Sequence, residues 1–448
     1  MLCLGYTQKQ AQAELYVNGA SGFNRFAFLR FPLSMIESIT THPDEASTLI
    51  HSGGADALDQ WMSGLVKREL LPFAMTVIVR SDGVGYWRWC GVANPKQARK
   101  PAPETLLRMY SMSKPVTALT ALLLEDQGLL DLHAPVETLI PELANWRALN
   151  HPAAELQDCT PLESGPTLLQ LLTHTSGISY GAAEGSILDQ ALAQQMARNC
   201  SFGGLLETLS ELPLVFPPGT AWRYGYGVDL VGIALMRATG KPLGQVMDEL
   251  IFQPLGMGDT GFEVLSSEAG HLATLFQSEV DGCLTEITVE PPLGPRVGGS
   301  QGLAEGDHWG GSGLASTPAD WLKFADLLRA AHSGKETALA CPELVRRMTT
   351  NQLEGDIASL LPEGPAGFRE WMPFAGLGMG CGVWVVTDTQ RLDWESNPGE
   401  FGWGGIANTV FWIDPVADAA VLFFTQVMPS SRLGLRDELH QLAAKCLR

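Results

Sequence analysis

A chain of 448 residues exceeds one minimal domain and suits two lobes, or one large domain carrying an insertion. With 45% hydrophobic and 17% charged residues it has ample apolar surface for a core, which excludes an extended disordered chain. A formal net charge of −20 repels nucleic acid and anionic membrane surfaces, so neither is an expected partner.

Residues 1–55 mix short apolar pieces with Gly, Ser, Thr and His and read as an N-terminal extension. The first residues lack a charged stretch followed by a long apolar one, and no apolar run approaches the ~18 residues of a membrane span. A cytoplasmic location is therefore expected. From Ala55 the pattern sharpens: Leu58, Trp61, Met62 and Leu65 recur at helical spacing. Phe73 to Val79 is β-branched and apolar, Ser81-Asp82-Gly83 is a turn signal, and Tyr86 to Trp89 alternates, which predicts an antiparallel hairpin. Residues 111–128 predict a helix with Leu119 and Leu122 to Leu124 on its apolar side and Gly128 at its C-terminal end.

Helical pattern broken by Pro and Gly continues to about Gly270, with candidates at 167–173, 186–197, 203–210 and 228–239. Residues 281–313 read as loop. Ser316-Thr317-Pro318 introduces a helix over Trp321 to Ala331, because Ser or Thr caps a helix start and Pro is tolerated in the first turn. Strands are predicted at Gly382 to Val386, Thr409 to Ile413 and Ala419 to Phe424, then a closing helix from Leu433 to Cys446. The fold class is α/β (α+β): one antiparallel sheet flanked by helices and built from both chain ends, with a mostly helical lobe inserted. The sheet lobe takes about 56–115 and 305–448, the helical lobe about 116–304, and the cleft between them is the natural pocket.

The eight Cys residues are scattered without a C-x-x-C pair and read as free thiols. The nine His residues form no H-E-x-x-H pattern, so no metal or other cofactor is expected. The chemistry-bearing motif is Tyr110-Ser111-Met112-Ser113-Lys114-Pro115. Residues three apart share a helix face, which sets the Ser111 hydroxyl beside the Lys114 amine. A serine hydroxyl needs a base, and a lysine made readier to give up its proton by desolvation can supply one. S-x-x-K also occurs by chance, as an N-cap serine with a solvated lysine. Ser113 is a rival on the same helix, but Val116 stands where its lysine would be.

Further segments follow in order: Leu171 to Ile178 (LLTHTSGI), Pro217-Pro218-Gly219-Thr220 with Tyr224 four residues on, Gly310 to Leu314, and Trp403-Gly404-Gly405. The series resembles the serine β-lactamase-like superfamily over about residues 56–448, and within it the family VIII carboxylesterases, which look like class C β-lactamases. The resemblance implies a site between an α/β lobe and a helical lobe. Ser111 would be the acylated nucleophile, Lys114 its partner, and Tyr224 a sharer of the base role, with the choice of base left open. Trp403-Gly404-Gly405 takes the place of the Lys-Thr-Gly strand of penicillin-recognising relatives. By the same resemblance the N–H groups of Ser111 and of a residue near Ile406 would form an oxyanion hole, such donors being worth about 3–4 kcal/mol each.

Two departures from the lactamase pattern bear on substrate. Trp403 replaces a carboxylate-binding cation, and Tyr226 stands where lactamases carry an amide-holding Asn. Both predict a less polar, less positive pocket. The expected activity is hydrolysis of small neutral carboxylic esters through an acyl-enzyme on Ser111. Alternatives are an acyltransferase on the same scaffold, a β-lactam or small-amide hydrolase, and a scaffold protein without chemistry. Gly298-Gly299-Ser300-Gln301-Gly302 matches G-x-S-x-G but lacks the strand before and helix after that a nucleophile elbow needs. His174 reads as a structural histidine bonded within the helical lobe, not a triad member.

Overall fold

The computed structural model describes residues 39–298, 306–337, 339, 341–362 and 374–448. The elements that position the site are, in chain order, β1 (Thr40–Thr41), α1 (Ser52–Lys67), β2 (Phe73–Arg80), β3 (Gly83–Gly91), α2 (Ser113–Asp126), α3 (Leu168–Leu172), α4 (Ile187–Arg198), α5 (Phe202–Glu211) and α6 (Gly227–Thr239). They continue with α7 (Pro318–His332), α8 (Pro342–Thr349), β4 (Leu377–Met379), β5 (Trp384–Val386), β6 (Phe401–Gly404), β7 (Val410–Asp414), β8 (Ala419–Phe424) and α9 (Leu435–Leu447).

The eight strands form one antiparallel sheet in the order β1-β3-β2-β8-β7-β6-β5-β4. The two chain ends meet where β2 pairs with β8, from Arg80 opposite Ala419 to Met75 opposite Phe424. The hairpin β2–β3 turns at Gly83, whose φ of 133° an L side chain rarely adopts. Phe411 and Phe423 show how the sheet is sandwiched. Phe423 pairs with Val410, one residue from Phe411, so the two rings point to opposite faces. Phe423 lies 5.5 Å from the Trp61 ring of α1, and Phe411 packs on Trp321 and Phe324 of α7 at 6.0 and 6.3 Å. Thus α1, with α9 against it, covers one face and α7 the other.

Helix α2 is buried at every position from Ser113 to Leu124. Its buried polar side chains, Ser113, Lys114, Thr117 and Thr120, are each hydrogen-bonded, and each fully buried Leu contributes about 1.5–3 kcal/mol. It packs against α6 and α8, so the segment that opens with Ser111 is held from several sides. Thr317 caps α7 by accepting the Asp320 N–H at 3.2 Å.

The sequence missed β1, β4 and α8, which are short. The last residues of the expected extension, 1–55, are part of the fold: β1 pairs with β3 at the sheet edge, the buried Glu45 carboxylate accepts from Arg88 at 2.6 Å, and residues 52–55 open α1. The expected loop at 281–313 includes the short strands Leu284–Glu286 and Arg296–Val297. Ser300 lies outside the described residues. Among the described residues no helix is long and apolar enough to cross a membrane, and the cysteines are free thiols.

Candidate active site

Ser111 sits in a single 3₁₀ turn, Tyr110–Met112, that runs into α2. The turn is entered through Tyr110 at φ 46°, a left-handed conformation that holds a non-glycine residue at about 1–3 kcal/mol of strain. Neighbouring strands hold this corner from both sides. Met109 N–H donates to the Leu314 carbonyl at 2.9 Å, and the Gly405 backbone lies so close that a Cβ there would come 2.6 Å from the Met109 carbonyl oxygen. Ser113, two residues further on, is fully buried and accepts the Leu314 N–H at 3.1 Å, so its hydroxyl is structural.

Three sequence-predicted residues converge. Tyr224 donates its hydroxyl hydrogen to Ser111 Oγ at 2.8 Å, and Lys114 Nζ lies 3.3 Å from the same oxygen. Lys114 is fully buried, and its remaining two donors reach the Gly311 carbonyl at 2.8 Å and the Tyr180 hydroxyl at 3.0 Å. Nζ also stands over the Tyr224 ring, 4.7 Å from its centroid, where the ring quadrupole favours a cation.

Asp229 closes this circuit. It is fully buried on α6 and accepts the Tyr180 hydroxyl at 3.2 Å and the Gly311 N–H at 2.8 Å, from the same two residues whose hydroxyl and carbonyl accept from Lys114. Burial pushes its carboxyl up from the ordinary aspartate range, against the pull of the Lys114 ammonium. A Cβ on Gly311 would come 2.6 Å from the Asp229 carboxylate, which explains a glycine there. Asp229 is legible after the fact as a lone acid in the apolar run GVDLVGIAL, since an unpaired acid is rarely buried. Tyr180 gave no such signal.

Aromatic rings form the wall behind Tyr224. Trp403 lies 5.9 Å from Tyr224, and His174 lies 4.6 Å from Tyr224 and 6.1 Å from Trp403. His174 is buried, and neither ring nitrogen has a hydrogen-bond partner among the described residues. The expected bonded histidine is thus corrected: its ring is held by packing, and only its backbone is bonded, the carbonyl accepting the Arg223 N–H at 2.8 Å. Burial and the nearby Lys114 hold its pKa well below the usual imidazole range, which keeps it neutral. Tyr226 stands one layer out, packed on Tyr180 at 4.4 Å and Trp309 at 6.1 Å.

The Trp403-Gly404-Gly405 segment ends β6. Gly405 N–H is taken by the Thr409 carbonyl at 2.7 Å, and Ile406 follows, half-buried beside Tyr110. The expectation of a less positive pocket needs amendment here. Arg436 of α9 brings a guanidinium against this strand, 3.3 Å from the Gly405 carbonyl. Nothing in the sequence marked it, because a lone arginine near a helix start reads as solvated. Among the described residues no three His, Cys, Asp or Glu side chains group as metal ligands do.

This serine, lysine and tyrosine on a sheet-and-helix scaffold are in keeping with a comparison of the chain to protein families: the model described as Beta-lactamase matches residues 58–445. The chain belongs to the beta-lactamase family. Protein Rv1367c of Mycobacterium tuberculosis is 32% identical over 73% of this chain and 78% of its own. Esterase EstB of Burkholderia gladioli is 29% identical over 86% of this chain and 95% of its own. Among solved structures, EstCE1, described as a hydrolase with promiscuous acyltransferase activity, superposes with a TM-score of 0.69 at 24% identity, covering 88% of this chain and 98% of that one. The likeness extends to the antiparallel sheet flanked by helices, so the beta-lactamase/transpeptidase-like fold expected from sequence is the fold observed. Esterases and acyltransferases among these relatives support hydrolase or acyl-transfer chemistry on this scaffold.

Proposed function

We propose that this family member is a serine carboxylesterase acting on small neutral esters without a cofactor. The observation that carries the reading is the Ser111 Oγ held between the Tyr224 hydroxyl at 2.8 Å and Lys114 Nζ at 3.3 Å. Lys114 and Tyr224 share the base role, and whichever of the two is unprotonated accepts the Ser111 proton. Ser111 Oγ attacks the ester carbonyl carbon and its proton passes to the pair. The carbonyl π electrons move onto oxygen, where the N–H groups of Ser111 and Ile406 receive the charge. The C–O bond to the alcohol then breaks as the pair returns the proton to the leaving oxygen. Water repeats the sequence on the acyl-enzyme: its proton goes to the pair, the Ser111 ester bond breaks, and Ser111 takes the proton back.

Trp403 supports a neutral acyl or alcohol group, since it sets an indole beside Tyr224. A small-molecule ester, in a chain of net charge −20, is the partner this reading requires. Replacing Ser111 by Ala should abolish turnover of short p-nitrophenyl esters while leaving the melting temperature within a few degrees of the parent. Esterase activity retained in that variant would overturn the reading. A second outcome on the same site is acyl transfer, favoured by the esterase and acyltransferase names among the relatives. An added alcohol that captures the acyl group in competition with water, seen by product analysis, would establish it.

A further inference from the structure

Gly404 of the Trp403-Gly404-Gly405 segment and the half-buried Arg436 explain one another. The Arg436 guanidinium lies against the backbone at the end of β6, where a Cβ on Gly404 would come 2.7 Å from Nη2. The same Nη2 donates to the Gly405 carbonyl at 3.3 Å and to Ser430 Oγ at 3.4 Å. Its Nε is buried without a partner, and among the described residues no carboxylate forms an ion pair with this guanidinium. A guanidinium with a buried nitrogen left unpartnered is costly to hold in place. Burial pushes its pKa down, and the charges of Tyr224 and Asp437 oppose that shift.

The Gly405 carbonyl belongs to the same peptide unit as the Ile406 N–H. A trans peptide is planar and carries its C=O and N–H on opposite sides. Two donors fix that carbonyl, Arg436 Nη2 and the Asn408 N–H, each at 3.3 Å. Fixing it fixes the Ile406 N–H in the opposite direction. A cation on the carbonyl oxygen also polarises the peptide and strengthens its N–H as a donor.

We propose that Arg436 is a positioning residue for the oxyanion hole: through the Gly405–Ile406 peptide it orients and polarises the N–H that receives the negative charge of the tetrahedral intermediate. The inference rests on the esterase reading above, with Ser111 acylated and Ile406 as oxyanion donor.

The test compares the parent with Arg436→Gln and Gly404→Ala on a neutral ester, p-nitrophenyl butyrate, and on a monoanionic one, p-nitrophenyl hemisuccinate. Loss of an interaction made only in the transition state lowers kcat and leaves KM nearly unchanged. Arg436→Gln should lower kcat on both esters about 10- to 1,000-fold, up to the loss for an oxyanion donor itself. Gly404→Ala, which keeps the guanidinium but pushes it off the strand, should show the same kcat-selective loss. Methylguanidinium should restore part of the activity of Arg436→Ala. Unchanged kcat in a folded Arg436→Gln protein would overturn the proposal. So would a loss confined to the KM of the anionic ester, which would make Arg436 a substrate-charge contact. If Arg436→Gln does not fold, Gly404→Ala decides alone, by the same kcat criterion. A parent protein with no activity on any ester defeats the esterase reading itself, whereas an active parent with unimpaired variants defeats only the role of Arg436.

Discussion

Arg223 and Asp189 form a buried ion pair, Nη2 to Oδ2 at 2.8 Å, that ties the loop bearing Tyr224 to the start of α4. Asp189 also accepts from Ser179 Oγ at 2.5 Å and from the Ala183 N–H at 3.0 Å, and Arg223 Nε donates to Ser179 Oγ at 3.2 Å. The cluster therefore clamps two loops, one carrying Tyr180 and one carrying Tyr224, the two phenols that flank Lys114. Breaking such a pair leaves an uncompensated buried charge, which typically costs about 3–5 kcal/mol. Arg223→Met should lower the urea midpoint accordingly, and Arg223→Met with Asp189→Leu together should lose less than the two single changes summed. Additive losses would show that the two side chains act separately.

Removing the Tyr224 hydroxyl takes away the closer of the two groups on Ser111 Oγ. Tyr224→Phe should reduce kcat about 100- to 10,000-fold, the usual range for a general acid–base group, with a smaller change in KM. Full activity in the folded variant would assign proton transfer to Lys114 alone.

The neutral, buried His174 makes stability depend on pH. Its pKa is depressed on folding, so below the unfolded value of about 6.5 the unfolded chain binds a proton that the folded chain does not. Stability conferred by this residue is full above that pH and falls as pH drops, by up to about 1.4 kcal/mol per unit. The difference in stability between His174→Phe and the parent should therefore shift in favour of the variant between pH 7 and pH 5. Chemical denaturation at both pH values measures it, and a pH-independent difference would contradict the assignment.

Gly405 is pressed between two oxygens: a Cβ would come 2.5 Å from Thr409 Oγ1 and 2.6 Å from the Met109 carbonyl. Gly405→Ala should push β6 away from the Ser111 turn and lower kcat at least tenfold, more than it raises KM. Steady-state kinetics on one neutral ester separates the two parameters.

Ser111 and Lys114 were legible because they are three residues apart on a helix, a relationship that local geometry enforces. Tyr224 lies 113 residues from Ser111, so only the resemblance of ordered motifs brought it to the site. The β2–β3 hairpin showed itself through alternation and a turn signal. Strand β6 did not stand out by pattern, because Gly402 and Gly404 dilute its periodicity, and it was located by resemblance alone. Tyr180, Asp189 and Arg436 act through contacts between distant segments, and a single sequence carries no record of those. The guanidinium that lies against the Trp403-Gly404-Gly405 segment comes from the far end of the chain, where no local pattern points to it.

The account depends most on Ser111 being the atom that carries the acyl group. Mixing the protein with excess p-nitrophenyl butyrate, quenching in acid within the first turnovers and mapping peptides by mass spectrometry tests this directly. The account predicts a butyryl mass increment on Ser111, absent from Ser111→Ala and undiminished in Ser113→Ala. A butyryl group on Ser113, Ser300 or another side chain, with Ser111 unmodified during active turnover, would contradict it.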